Sequence, residues 1–142
     1  MSGWIETYRG AVYPWHCDHV GHMNVMWYVG KFDEATWQLF SHFGITAGYL
    51  RENRRGMAAL EQNIRYLREL HAGDVITVRS AILEVTNKVV KFVHEMHNAG
   101  DQTLAAVARL TGVHLDTEKR ASCALPDAAA QRMRQQIISY ES

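Results

Sequence analysis

The chain has 142 residues, room for one ordinary domain with a real core and not for two. Lys plus Arg number 15 and Asp plus Glu number 15, a formal net charge of zero, which argues against a basic nucleic-acid binder, an acidic tail or a polybasic membrane anchor. Four Trp, six Tyr and four Phe argue against disorder, and no run of 18 apolar residues is present that would span a membrane.

Trp4 to Tyr13 mixes aromatic and β-branched residues and stops at Pro14, the pattern of a first strand. Pro14 to Met23, with Pro, Asp, Gly and three His, reads as a loop. Asn24 is a good N-cap residue, and after it Phe32, Ala35, Thr36, Leu39, Phe40 and Phe43 recur at helical spacing, with Gly44 as a C-terminal stop. Residues 45–56, rich in Gly and Arg, read as a connector. Four strands follow, at Met57 to Leu67, Asp74 to Glu84, Val89 to Met96 and Leu104 to Leu115. In the second, Ile76, Val78 and Ile82 alternate with Thr77 and Arg79; in the third, Val90, Phe92 and Met96 oppose Lys91 and Glu95. The short, turn-like separators favour antiparallel pairing. Asp127 to Ile138, behind Pro126, reads as a terminal helix. The expected fold class is α+β: one long helix against an antiparallel sheet of about five strands, plus a C-terminal helix.

The stretch Trp15-His16-Cys17-Asp18-His19-Val20-Gly21-His22-Met23-Asn24 concentrates the reactive side chains. His16, His19 and His22, with Cys17 and Asp18, are zinc-type ligands, but a spacing of three aligns them only on a helix, which Pro14 and Gly21 oppose. Cys17 as a nucleophile would need an activated thiolate, and neighbours in an extended loop point apart, so an inert, buried thiol is expected there. Asp18 stands a few residues before a helix start, where unpaired N–H groups polarise a carbonyl and a carboxylate can attack it or activate water. The opposing reading is that Asp18 only caps a turn. The two cysteines are too few for a disulfide framework, and the N-terminus lacks a basic region followed by an apolar run, so a reduced, cytoplasmic protein is expected.

Asp18-His19-Val20-Gly21-His22-Met23-Asn24, followed by Tyr28 and Phe32-Asp33-Glu34-Ala35, resembles the Asp-x-x-Gly-His-x-Asn signature of the 4-hydroxybenzoyl-CoA thioesterase family, which are hotdog-fold acyl-CoA thioesterases. A second block, Ile64-Arg65-Tyr66-Leu67-Arg68-Glu69-Leu70 before Gly73-Asp74, is similar as well, and the likeness runs from about Ile5 to Leu125. It implies a single hotdog domain over residues 1–142, with the sheet wrapped around the central helix. It implies hydrolysis of an acyl-CoA thioester with Asp18 as nucleophile or general base. The backbone N–H of Val25 would polarise the carbonyl, Asn24 would cap the helix or orient water, and His22 would bond loop backbone. Tyr28 would line the acyl pocket or support the loop. Many relatives carry a second Asn where this chain has Val25, which leaves only a backbone role there. Glu34 is a secondary candidate for the carboxylate, opposed by its reading as an exposed helix charge.

The resemblance further implies a homodimer or homotetramer with active sites at the dimer interface, and a neutral chain fits self-association. Glu61 and Asn63, on one face of the strand from Met57 to Tyr66, would line the partner's site. Arg65, Arg68, Lys88 and Lys91 are candidates for the phosphates of CoA, each weighed against ordinary surface charge. Trp27, Trp37 and Trp15 are pocket or interface candidates, whereas Phe40 falls on the core stripe. No metal or other cofactor is required. A hotdog hydratase or dehydratase using Asp18 with His22, and a non-catalytic acyl-CoA-binding module, are the competing functions.

Overall fold

The structure is a computed structural model that describes residues 3–141. Strands β1 (Ile5–Ala11), β2 (Arg55–Tyr66), β3 (Val75–Val85), β4 (Val89–Asn98) and β5 (Leu104–Asp116) form one antiparallel sheet in the order β1-β3-β4-β5-β2, and the two-residue β6 (Ala121–Ser122) pairs with the end of β5. The helices are α1 (Val25–His42), α2 (Ala47–Asn53) and α3 (Asp127–Arg134), with one 3-10 turn at Pro14–His16.

The expected period builds α1. Phe32, Ala35, Leu39 and Phe40 are buried on it, and the helix lies in the curled sheet as the filling of a hotdog fold. Its N-terminus is closed by Asn24, whose Oδ1 accepts the Met26 N–H at 2.9 Å. Beyond the C-terminus, Gly44 takes φ +94°, where a Cβ is disfavoured, and the Ile45 N–H returns to the Phe40 carbonyl at 2.9 Å. The sheet presents Ile76, Val78 and Ile82 from β3, Phe92 and Met96 from β4, and Ala106, Ala108 and Leu110 from β5 to the helix. One polar chain crosses this core: Thr7 Oγ1 to Ser80 Oγ at 2.7 Å, Ser80 Oγ to His94 Nδ1 at 2.5 Å, and His94 Nε2 to Thr36 Oγ1 at 2.8 Å.

Two elements depart from the sequence reading. Residues 45–56 contain α2, which buries no residue and so shows no apolar period; its signal is the cap, Thr46 Oγ1 accepting the Tyr49 N–H at 3.0 Å. The terminal helix stops at Arg134 rather than Ile138, because the chain leaves it to run over the outer face of the sheet, where the Ile138 N–H donates to the Ile82 carbonyl at 3.0 Å. There Trp4, Leu83, Leu104, Ile138 and Tyr140 cover Ala81, Val93 and Val107. The outer edge of the 12-residue β2 has no strand partner among the described residues. No helix among them is long and apolar enough to cross a membrane.

Candidate active site

The loop that carries Asp18 is pinned at both ends. His16 is buried, its Nδ1 accepts the Tyr13 N–H at 3.0 Å, and its carbonyl accepts the Asn24 N–H at 2.9 Å. The Met23 N–H reaches the Leu70 carbonyl at 2.7 Å, so the turn after β2 holds the loop from the other side. Between these anchors the Gly21 N–H donates to the Asp18 carbonyl at 3.0 Å, and Gly21 takes φ +98° to close that turn.

Asp18 is therefore aimed by its surroundings. Its Oδ1 accepts the Val20 N–H at 2.9 Å and its Oδ2 accepts the Asn24 side-chain amide at 2.7 Å. These two donors, the Asn24 amide first, hold its carboxyl below its ordinary value of 3.8, so it is ionised at neutral pH. Asn24 also caps α1. In the first turn the Met26 N–H goes to Asn24 Oδ1 and the Trp27 N–H to the Asn24 carbonyl at 3.0 Å. The Val25 N–H has no acceptor inside the helix, and Val25 is 55% exposed. A carboxylate and an unspent helix-start donor thus share one solvent-facing junction.

Residues 12–133, from the end of β1 into α3, match the thioesterase-like superfamily. The chain belongs to that superfamily. It is 31% identical over 111 residues to an L-carnitine dehydrogenase/betainyl-CoA thioesterase of Agrobacterium fabrum, covering 78% of this chain and 22% of that protein. A betainyl-CoA thioesterase of Pseudomonas aeruginosa is 25% identical over 118 residues, 83% of this chain and 74% of that one. The chain thus spans only about a fifth of the two-function relative. Among solved structures, a Staphylococcus aureus protein in complex with CoA superposes with a TM-score of 0.88 at 20% identity, covering 97% of this chain and 89% of its own. A 1,4-dihydroxy-2-naphthoyl-CoA thioesterase from Synechocystis gives 0.80 at 18%, covering 93% and 98%. At such identities these likenesses speak for the fold.

In this thioesterase-like chain His22 does not bond to Asp18. Its Nδ1 lies 3.5 Å from the Met23 carbonyl and its Nε2 3.6 Å from Glu69, which also lies 3.7 Å from His71. Tyr28 is buried and its hydroxyl donates to the Arg68 carbonyl at 3.2 Å, with its ring edge-on to Tyr66 at 5.0 Å. Burial, with Tyr66, Glu69 and Asp74, pushes that phenol up to about 12, so it stays neutral and braces the segment after β2. Trp27 packs on the His16 ring at 4.4 Å, and the exposed Trp15 stacks on Tyr13 at 4.7 Å. The three imidazoles of the metal reading are not brought together: His16 is turned into the protein, His19 is exposed and His22 faces Glu69. Among the described residues no group of three or more His, Cys, Asp or Glu is placed to hold a metal. Cys17 Sγ points to the Tyr13 carbonyl at 3.9 Å, and Cys17 is half-buried rather than buried.

The remaining candidates lie apart from the Asp18 of their own chain. Glu61, Asn63, Arg65 and Lys91 sit on the outer face of the sheet around a depression of about 440 Å³, completed by Arg109 and Thr111. Arg68 lies by Asp101, and Lys88 is an exposed turn residue whose carbonyl accepts the His114 N–H. Trp37, 41% exposed, borders a narrow groove of about 80 Å³ between α1 and β2, with Asp33, Met57 and Gln62, and Phe40 forms its buried floor. Glu34 faces β1 beside Thr7 and Arg9. Sequence spacing does not single out Arg109; its signal is one arginine among the outward positions Val107, Arg109 and Thr111, in the run of β5 that is apolar from Leu104 to Ala108.

Proposed function

We propose that the chain hydrolyses an acyl-CoA thioester. The observation that carries this reading is the ionised Asp18, tied through Asn24 to the helix start whose Val25 N–H is unspent. A thioester carbonyl placed against that N–H gains one oxyanion donor, about 3–4 kcal/mol in other enzymes. Asp18 then attacks the carbonyl carbon, or takes a proton from a water that attacks it, and CoA leaves as its thiolate. With Asp18 as nucleophile, water cleaves the resulting mixed anhydride. Asn24 holds the carboxylate for either route.

The outer depression suits the charged tail of CoA. Among the described residues Arg65, Lys91 and Arg109 lie on its wall with Glu61, and Asn63 and Thr111 add neutral polar groups. The hydratase reading needs Asp18 and His22 acting as a pair, and the ring nitrogens of His22 are turned to the Met23 carbonyl and Glu69. We also read residues 1–142 as one domain that works as a homodimer. The unpaired edge of β2, beside exposed Leu60 and Trp37, suits antiparallel pairing with a second copy, which would bring the start of the partner's β2 next to Tyr66 and Tyr28. The narrower likeness to the 4-hydroxybenzoyl-CoA family and the betainyl-CoA relatives suggest different acyl groups.

The test is thiol release across short, branched, aryl and betainyl CoA thioesters. Turnover of at least one, lost in Asp18→Asn, is expected. Binding of CoA esters with no turnover would turn the reading toward a binding module, and hydration of an enoyl-CoA without thiol release toward a hydratase.

A further inference from the structure

The groove of about 80 Å³ between α1 and the start of β2 joins an aromatic wall to a single charge. Trp37 and the buried Phe40 form its helix side, with their rings edge-to-face and 6.0 Å apart. Phe92 continues the wall from the sheet, 5.3 Å from Phe40. A Cβ at Gly112 would lie 3.6 Å from both Met57 Cε and Phe40 Cζ, so the glycine leaves that space open.

Asp33 is the one charged residue of this lining, and it stands one turn before Trp37 on α1. It is exposed, and no described residue bonds to its carboxylate. Thr36 is spent, since its Oγ1 donates to the Phe32 carbonyl at 3.0 Å and meets His94 Nε2 at 2.8 Å. Gln62 and Thr111 are neutral. An aromatic wall with one open carboxylate suits a cation that has no N–H to satisfy. A primary ammonium brings three donors and needs three acceptors, whereas a quaternary ammonium sets methyl groups against apolar and ring surface. The space is a few times the roughly 30 Å³ share of one water, which suits a compact head group.

The groove does not serve the helix start of its own chain. Asp33 and Trp37 lie eight and twelve positions after Val25, about 12 and 18 Å along the axis, beyond the reach of a short acyl group. When two copies pair antiparallel along β2, Met57 and Ala58 come beside Tyr66 and Tyr28 of the other copy, and Tyr28 stands in the first turn of α1.

We propose that the groove of one copy receives a quaternary ammonium at the end of an acyl group whose thioester is held by the other copy, with Asp33 and Trp37 selecting the cation. The proposal rests on the acyl-CoA reading and on the β2-paired dimer.

Two unreactive thioethers of CoA test the selection. One carries a 2-(trimethylammonio)ethyl group and the other 3,3-dimethylbutyl, its neutral carbon isostere. They share shape and lack the carbonyl, so only the charge differs. Calorimetry on the unaltered chain should show the cationic thioether bound at least about tenfold tighter, within the range of one cation–π contact. That ratio should fall to within about twofold of one in Asp33→Asn, and a few-fold in Trp37→Leu. Mixed dimers test the sharing. One Asp18→Asn chain and one Asp33→Asn chain, isolated together by two tags, hold one site with both carboxylates intact if the site is shared. Their kcat/KM for betainyl-CoA should then be about half that of the unaltered dimer, far above the Asp33→Asn dimer.

The proposal is overturned if the unaltered chain binds the neutral thioether as well as the cationic one, or if the preference survives Asp33→Asn. It is also overturned if the mixed dimers turn over betainyl-CoA no faster than the Asp33→Asn dimer. Thiol release from other esters, with no preference between the thioethers, would remove the groove and leave the thioesterase reading. A clear preference with no thiol release from any ester would overturn the thioesterase reading and leave the cation site.

Discussion

Asn24 gives Asp18 an amide hydrogen at 2.7 Å and gives its own Oδ1 to the Met26 N–H at 2.9 Å, so one carboxamide joins the carboxylate to the start of α1. The two functions of that group separate by substitution. Asn24→Ser keeps a good cap, so stability in urea should change by less than about 0.5 kcal/mol, while the hold on Asp18 is lost and turnover falls. Asn24→Ala loses both and should cost about 1 kcal/mol as well. Wild-type turnover in Asn24→Ser would remove Asn24 from the mechanism.

Asp18→Asn places an amide where the Asn24 amide expects an acceptor, and it removes the charge. Thiol release should fall by about 10²–10⁴, the span assigned to a positioned acid–base group. Asp18 lies in a loop and is only partly buried, so the thermal midpoint should move by only a few degrees. A variant that folds and keeps near wild-type turnover would sink the assignment.

The pH profile carries a second test of the same carboxylate. Its acid form is inert, and the Asn24 and Val20 donors hold its titration below 3.8. Turnover should therefore stay level as pH is lowered through 6 and 5, and drop only near or below 4. An acid limb well above that range would mean that a group other than Asp18 limits turnover.

How far the sequence announces this arrangement depends on whether a residue's role is local. The Asn24 cap, the Gly21 turn and the stripe from Phe32 to Phe40 are set by near neighbours, so spacing reveals them. The short α2 hides because it buries nothing, and its Gly and Arg content imitates a loop. Lys91 and Arg109 come from the consecutive strands β4 and β5, but Arg65 comes from β2, well before them in the chain, and only the sheet order β4-β5-β2 brings the three together. The Tyr140 to Glu95 bond spans 45 positions, and no periodicity records it. The same limit applies to His22, whose place in the motif suggests pairing with Asp18, whereas the fold supplies Glu69 as its neighbour.

The edge of β2 gives a prediction for assembly. Leu60 is 63% exposed next to the irregularity between Ala59 and Glu61, near the middle of β2, whose outer edge has no strand partner among the described residues. If two copies pair there, Leu60→Asp sets like charges close to the symmetry axis. Sedimentation should show a dimer for the unaltered chain and a dimer constant at least about tenfold weaker for the variant, since like charges at an interface are costly. Turnover should follow the dimer fraction. A chain that sediments as a monomer at all concentrations would remove the shared site.

The core polar chain predicts an acid-linked loss of stability. His94 is fully buried between Ser80 and Thr36, and burial pushes its imidazole down to about 3. The unfolded chain takes up that proton near 6.5 and the folded chain only near 3, so between these values the unfolded state binds one proton more. Stability then falls as pH falls across that window, by about 1.4 kcal/mol per pH unit for one proton, and the contribution is flat above it. His16, His97 and His114 are also shifted down, chiefly by burial, and act in the same direction, so a bare pH series does not isolate His94. His94→Gln does, because a carboxamide can still bond both Ser80 and Thr36 but does not titrate. Urea melts between pH 7 and 4 should show a smaller slope for His94→Gln than for the unaltered chain by up to one proton. Equal slopes would mean that His94 takes up its proton in the folded state, which the closed Ser80–His94–Thr36 chain does not allow without opening the core.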